Sequence, residues 1–143
     1  MTAIRQEDFI QSIADAFQYI SYYHPADYIK ALTAAYAREQ SPAARDAIAH
    51  ILINSRMCAE GHRPICPDTG IAVVFLKVGM NARWDATMSV QEMVDEGVRR
   101  AYNNPDNKLR ASVLADPAGK RANTRDNTPA VVHYVFVAGA PVE

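Results

Sequence analysis

The sequence predicts an α+β fold rich in helix, with N-terminal helices packed on a small β-sheet. Three observations lead there. Apolar side chains recur at helical spacing in three successive segments up to Gly61; two apolar runs, 71–78 and 130–137, have the composition of strands; and a capping box opens a further helix between those runs.

The elements follow in order. From Asp8 to Tyr23, apolar residues recur at Phe9, Ile13, Phe17 and Ile20, on one side of a helix that His24-Pro25 closes. Ile29, Leu32 and Tyr36 carry a second helix through an alanine-rich stretch of high helix propensity, ending near Gln40. Ser41 stands where it can cap a third helix, with Pro42 at the favoured first position. Ile48, Ile51, Leu52, Ser55 and Cys58 line that helix, and Gly61 is expected to take the left-handed conformation that ends it.

Ile71 to Val78 is apolar but for Lys77 and rich in β-branched residues, so a buried strand is expected there, ended by Gly79. Ser89-Val90-Gln91-Glu92 matches the capping box, and Val90, Val94, Val98 and Ala101 form the stripe of the helix it starts, which Asn103-Asn104-Pro105 stops. Between Asp106 and Pro129 the chain is polar, broken only by Ala111 to Ala115, a candidate third strand; long polar loops in compact proteins are usually functional or disordered. Ala130 to Val137 alternates partly, reads as the last strand, and stops at Gly139.

Residues 1–143, 49% hydrophobic and 22% charged, have the size and balance of one globular domain with a real core. Fifteen basic against sixteen acidic residues leave a net charge of -1, which gives no general attraction to nucleic acid or to an anionic membrane. No apolar stretch is long enough for a membrane span and the N-terminus lacks a signal-peptide core, so a cytoplasmic protein is expected. Its two cysteines are then free thiols, or one ligand and one bystander, in preference to a disulfide.

The chemistry gathers at His62-Arg63-Pro64-Ile65-Cys66-Pro67-Asp68-Thr69-Gly70, which alone places a thiol, a carboxylate, a hydroxyl and two cations together. Pro64 and Pro67 stiffen the turn, and Gly70 releases the chain into the apolar run. Cys66 reads either as a small apolar residue or as a ligand or reactive thiol; its place in a proline-fixed turn beside Asp68 and Thr69 favours the second. Cys58 lies on the stripe of the third helix and reads as core. His62 is a ligand, an acid/base group or a cation closing the helix, while His50 and His133 read as structural or exposed. Arg63, Arg110, Arg121 and Arg125 have the fork that fits a carboxylate, or are solvated surface. By themselves these residues support a small anionic-ligand site around Cys66.

Asn54 to Gly70, including Cys66-Pro67-Asp68-Thr69-Gly70, closely resembles the start of the catalytic region of class I, iron-sulfur fumarate hydratases, where a C-Q-D-T-G motif supplies one cluster ligand. Glu96 to Tyr102, Asn107 to Ser112 and Asn123 to Ala130 resemble further segments of that family in its order. The resemblance implies an N-terminal part of a larger hydro-lyase domain, with a 4Fe-4S cluster in the complete enzyme that is absent or incomplete here, and reversible hydration of fumarate to malate. It maps a cluster ligand onto Cys66, an acid/base group onto Asp68, and substrate contacts onto Arg110 and Thr69. It further implies a dicarboxylate substrate, and either a homo-oligomer or association with the remaining portion of the enzyme. The family's glutamine after the cysteine is Pro67 here, which offers no side-chain donor or acceptor. Because three thiolates hold such a cluster and Cys66 is the one candidate ligand, the chain alone is expected to be inactive. Alternatives are a portion of a tartrate dehydratase or related hydro-lyase, and a non-catalytic interaction module derived from one.

Overall fold

The computed structural model describes residues 3–65, 70–106 and 109–143. The elements run β1 (Ile4–Arg5), α1 (Gln6–Tyr22), α2 (Ala26–Arg38), α3 (Pro42–Gly61), β2 (Val73–Gly79), β3 (Trp84–Asp85), α4 (Val90–Tyr102) and β4 (Val131–Val137). Helix with small parallel sheets makes this an α+β structure, as the sequence predicts. The chain divides into two compact units, one of residues 1–17 with 68–143, the other of 18–67.

In the first unit the core is built from the N-terminal part of α1, from α4 and from one face of β2. Phe9, Ile10 and Ile13 of α1 join Met93, Val94, Val98 and Ala101 of α4 and Leu76 and Val78 of β2, all buried. The α4 stripe read from the sequence is the one the core uses, and both halves of its capping box form: Glu92 N–H donates to Ser89 Oγ, and Ser89 N–H donates to Glu92 Oε2. Gln6 fastens the entry to α4, its Oε1 accepting from Thr87 N–H at 3.0 Å and Met88 N–H at 3.1 Å. Phe9 meets Trp84 edge to face at 5.2 Å, beside the short parallel pair of β1 with β3.

The second sheet is a parallel pair, β2 with β4, in register from Val73↔Val131 to Gly79↔Val137. Side chains of α4 hold the start of β4, because Asp95 Oδ1 accepts from Ala130 N–H at 2.8 Å and Gln91 Nε2 donates to Ala130 O at 3.0 Å. The expected burial of 71–78 is corrected: only the face bearing Leu76 and Val78 is covered, and Phe75 on the other face is 73% exposed. Continuous apolar sequence indicates two faces to be covered, and among the described residues one is. The candidate third strand also fails to join a sheet. Ala111 to Ala115 makes one antiparallel bridge, Leu114↔Asn123, flanked by bonds from Thr124 N–H to Val113 O and from Ala115 N–H to Ala122 O.

The second unit contains the end of α1, then α2 and α3. Two expectations change at the ends of α3. Ser41 occupies the N-cap, but its side chain makes no capping bond; Glu39 Oε1 instead accepts from the N–H groups of Gln40 and Ser41. At the other end Gly61 stays helical and His62 takes the left-handed conformation at φ 46°, its N–H donating to Cys58 O. Ile20 and Ile51, placed on apolar stripes by their spacing, are exposed.

A network of charges runs from α1 through α4 to the loop before β4. Arg100 pairs with Glu7 and Glu96, and Arg99 with Glu96 and Asp126. The bond from Arg100 holds the Glu96 carboxyl below its ordinary value against an opposing effect of burial, with help from Arg99. Burial acts to raise Asp126, but bonds from the Thr128 N–H and hydroxyl and from Arg99 bring it below its ordinary value. Both carboxylates are depressed on folding, so their contribution is present above the unfolded values near 4.5 and 3.8 and is lost as pH falls through the lower folded ones. The melting temperature is expected to drop as pH is taken below about 4, and a Glu96→Gln, Asp126→Asn double variant should show a shallower drop. An equally steep profile in that variant would exclude the network as the cause.

Gly97 is where α4 meets α1. A Cβ there would lie 2.6 Å from Ile13 Cβ and 2.8 Å from Ile10 O. Gly97→Ala gains about 1 kcal/mol of helix propensity, but a backbone oxygen cannot step aside as a flexible side chain can, and overpacking costs about 1–3 kcal/mol. The variant is expected to be less stable in urea unfolding. Equal or greater stability would show that the two helices have room to separate.

Candidate functional site

Of the residues singled out by sequence, Cys66, Asp68 and Thr69 lie outside the described residues, as does Pro67. The structure shows how the residues on either side of them are held. On the incoming flank, in the second unit, the His62 ring stacks on Tyr22 with centroids 5.6 Å apart, and the Tyr23 hydroxyl lies 3.3 Å from His62 Nε2. Ile65 N–H donates to Ser21 O at 2.8 Å, and Asn54 Nδ2 donates to Ile65 O at 3.3 Å. The helix is closed at His62 by its backbone N–H, which donates to Cys58 O.

Cys58 is buried, as its position on α3 predicts, with its thiol directed at Pro64 O (3.5 Å) and Asn54 Oδ1 (3.7 Å). It packs and bonds locally. Among the described residues no group of three His, Cys, Asp or Glu side chains is placed to hold a metal ion.

On the outgoing flank, in the first unit, Asn127 Nδ2 donates to Gly70 O at 3.1 Å. The same side chain accepts through Oδ1 from Ser112 N–H at 2.9 Å and Val113 N–H at 3.2 Å. These bonds bring Gly70 and the segment after Arg110 onto one buried amide. Arg110 itself is exposed, between Leu109, which is buried in the core, and Ala111, which packs against it. Asn123 Nδ2 donates to Ala111 O at 2.8 Å and Thr124 N–H to Val113 O at 2.9 Å, so the backbone beyond Arg110 is held at three successive residues. The guanidinium is thus presented outward from a fixed support, an arrangement suited to binding a carboxylate.

Arg121 and Arg125 are exposed residues of the same polar region, each with positive φ, and neither forms an ion pair among the described residues. Arg63 and His50 are exposed; His133 is exposed and stacks on Phe75 at 4.8 Å. The Thr124 hydroxyl is buried with no partner among the described residues. Sequence reasoning assigns Asn127 no role. Its signal is an asparagine in a turn-rich stretch directly before Thr128-Pro129, which marks a tight loop but not what the amide reaches.

The profile of the fumarate hydratase (Fumerase) family matches residues 10–143. A protein described as a putative L(+)-tartrate dehydratase subunit alpha, from Methanocaldococcus jannaschii, is 34% identical over 89 residues, which are 62% of this chain and 31% of that protein. The chain therefore spans less than a third of the length of that curated relative. No helix among the described residues is long and apolar enough to cross a membrane. Because the family match takes in both flanks of the turn, the Arg110 segment and the loop that carries Asn127, the chain belongs to the fumarate hydratase (Fumerase) family of hydro-lyases.

Proposed function

We propose that this chain is the N-terminal portion of an iron-sulfur hydro-lyase, contributing one cluster ligand, Cys66, and substrate contacts to a site that other residues complete. The observation that carries this reading is the family match over residues 10–143, a span that contains Cys66-Pro67-Asp68-Thr69-Gly70 and the Arg110 segment. The reaction is reversible addition of water to fumarate: a hydroxyl adds to one carbon of the double bond and a proton to its neighbour, giving malate. Asp68 exchanges a proton with the substrate, Arg110 binds a carboxylate through its planar fork, and Thr69 adds a hydroxyl donor. The outward placement of Arg110 on a clamped backbone supports its part in this scheme.

A complete 4Fe-4S cluster does not fit these residues alone. Cys58 is buried and bonded to Asn54 and Pro64, which leaves Cys66 as the single thiol of the sequence available as a ligand. Three thiolates hold a cluster that keeps one iron open, so the remaining ligands come from outside these residues. The relative's designation as an alpha subunit supports assembly with a further chain, and the exposure of Phe75 and Val135 on a face of the β2–β4 sheet that no described residue covers supports association of this kind or between copies.

The same relative favours a second reading, dehydration of tartrate in the same site, because it is described as a tartrate dehydratase. Steady-state kinetics of the complete enzyme on fumarate, tartrate and mesaconate decide between them. In that enzyme Arg110→Lys is expected to raise KM for the preferred dicarboxylate by about tenfold or more, since a charge-assisted pair contributes about 1.5–3 kcal/mol; an unchanged KM would remove Arg110 from the site. Anaerobic reconstitution of this chain with iron and sulfide is expected to leave no stable cluster absorption and no fumarate turnover. A brown species that turns over fumarate and is lost in Cys66→Ser would show the chain to be sufficient by itself.

A further inference from the structure

We propose that Asn127 is a positioning residue of this site, whose buried amide clamps the backbone at Gly70, which follows Asp68-Thr69 in the sequence, to that at Ser112 and Val113, which follow Arg110. The inference rests on the reading above for the roles of Asp68, Thr69 and Arg110. Its basis is the bonding of one side chain. Asn127 is fully buried at 0% exposure, and every heavy polar atom of its amide is used: Oδ1 accepts two backbone N–H groups, and Nδ2 donates to Gly70 O. Two N–H groups on one side and a carbonyl on the other fix which end of the amide is which.

The residue type follows from two demands made at once. The backbone sits at φ 61°, a region that glycine enters freely and asparagine and aspartate tolerate. Glycine has no side chain to bridge the two segments, and an aspartate carboxylate has no donor for Gly70 O. Asparagine alone among the three satisfies both the backbone and the bonds.

Ordering of its own loop does not account for the bridge. That loop has other fastenings: Asp126 Oδ1 accepts from the Thr128 N–H and hydroxyl, Asn123 Oδ1 from Arg125 N–H, and Asp95 from Ala130 N–H. What Asn127 adds is a link across the sequence, 57 positions back to Gly70 and 15 back to Ser112. Gly70 directly follows Asp68-Thr69, and Ser112 stands two positions after Arg110. One side chain therefore joins Gly70 to the support of the arginine.

The test uses two variants, each made in the complete enzyme and in the isotope-labelled chain. Asn127→Asp keeps the acceptor for Ser112 and Val113 but sets an oxygen against Gly70 O; Asn127→Gly keeps the backbone and deletes all three bonds. In the complete enzyme Asn127→Asp is expected to lower the melting temperature and, in the folded fraction, to lower kcat by about 100-fold, the cost of misplacing reacting groups by about 1 Å, and to raise KM. In the labelled chain the Ile71 amide resonance should shift in both variants, whereas faster exchange of the Ser112 and Val113 amides should appear in Asn127→Gly alone. A purely structural role predicts a lower melting temperature with kcat and KM unchanged in the folded fraction, and that result overturns the proposal. So do wild-type kinetics in Asn127→Asp accompanied by a shifted Ile71 signal. Should Asn127→Asp fail to fold, Asn127→Gly with a native circular dichroism spectrum decides by the same kinetic comparison. If the complete enzyme turns over no dicarboxylate, the proposed function fails by itself, and the resonances still judge the clamp: an unmoved Ile71 signal in both variants refutes it.

Discussion

The first unit depends on the close approach of α1 and α4 at Gly97, where a missing Cβ lets Ile10 and Ile13 reach the surface of α4. That approach turns Val94 and Val98 into completely buried residues and leaves one consistent place for the inner face of β2, against the same stripe. With α4 so placed, its polar side chains become fixed points. Asp95 and Gln91 hold Ala130 at the head of β4, and Arg99 holds Asp126, which in turn bonds Thr128. The loop that contains Asn127 is therefore positioned from the helix, and so traces to a packing contact between two helices.

The β2–β4 pair presents the opposite situation. Parallel strands are ordinarily covered on both faces, because their apolar sequence has no solvent side. Here Phe75 and Val135 are exposed on one face, while Leu76 and Val78 are buried on the other, although Phe136, in register with Val78, is exposed as well. A similar excess of apolar surface appears in the second unit, where Ile53 and Met57 of α3 are exposed and α2 has no buried residue.

The long polar region between α4 and β4 shows how loops without regular structure can be held. Its order comes from short side chains bonding to backbone: Asp116 Oδ1 accepts from Gly119 N–H and its Oδ2 from Lys120 N–H, Asn123 spans Ala111 and Arg125, and Asn127 spans Gly70 and Ser112. Asn and Asp suit this task because their side chains reach neighbouring amides and because they tolerate left-handed backbone, as Asn127 does at φ 61°.

The sequence by itself determined the local elements whose causes are local. The stripe of Val94, Val98 and Ala101, the Ser89–Glu92 capping box, the strand composition of 73–79 and 131–137, and the core placement of Cys58 all follow from spacing and residue type, and the motif around Cys66 carried the family. Where the cause was distant, the sequence was silent or misleading. It placed Ile20 and Ile51 on inner faces that nothing among the described residues covers, and it assigned the left-handed turn to Gly61, although chain direction after α3 places it at His62. Only the tertiary structure decided that β2 and β4 pair in parallel and that Gly97 is a contact. Only it showed that the amide of Asn127 joins Gly70 to Ser112. The reason is physical: periodicity and capping act over a few residues, whereas a hydrogen bond across 57 positions exists only once packing has brought its two ends together.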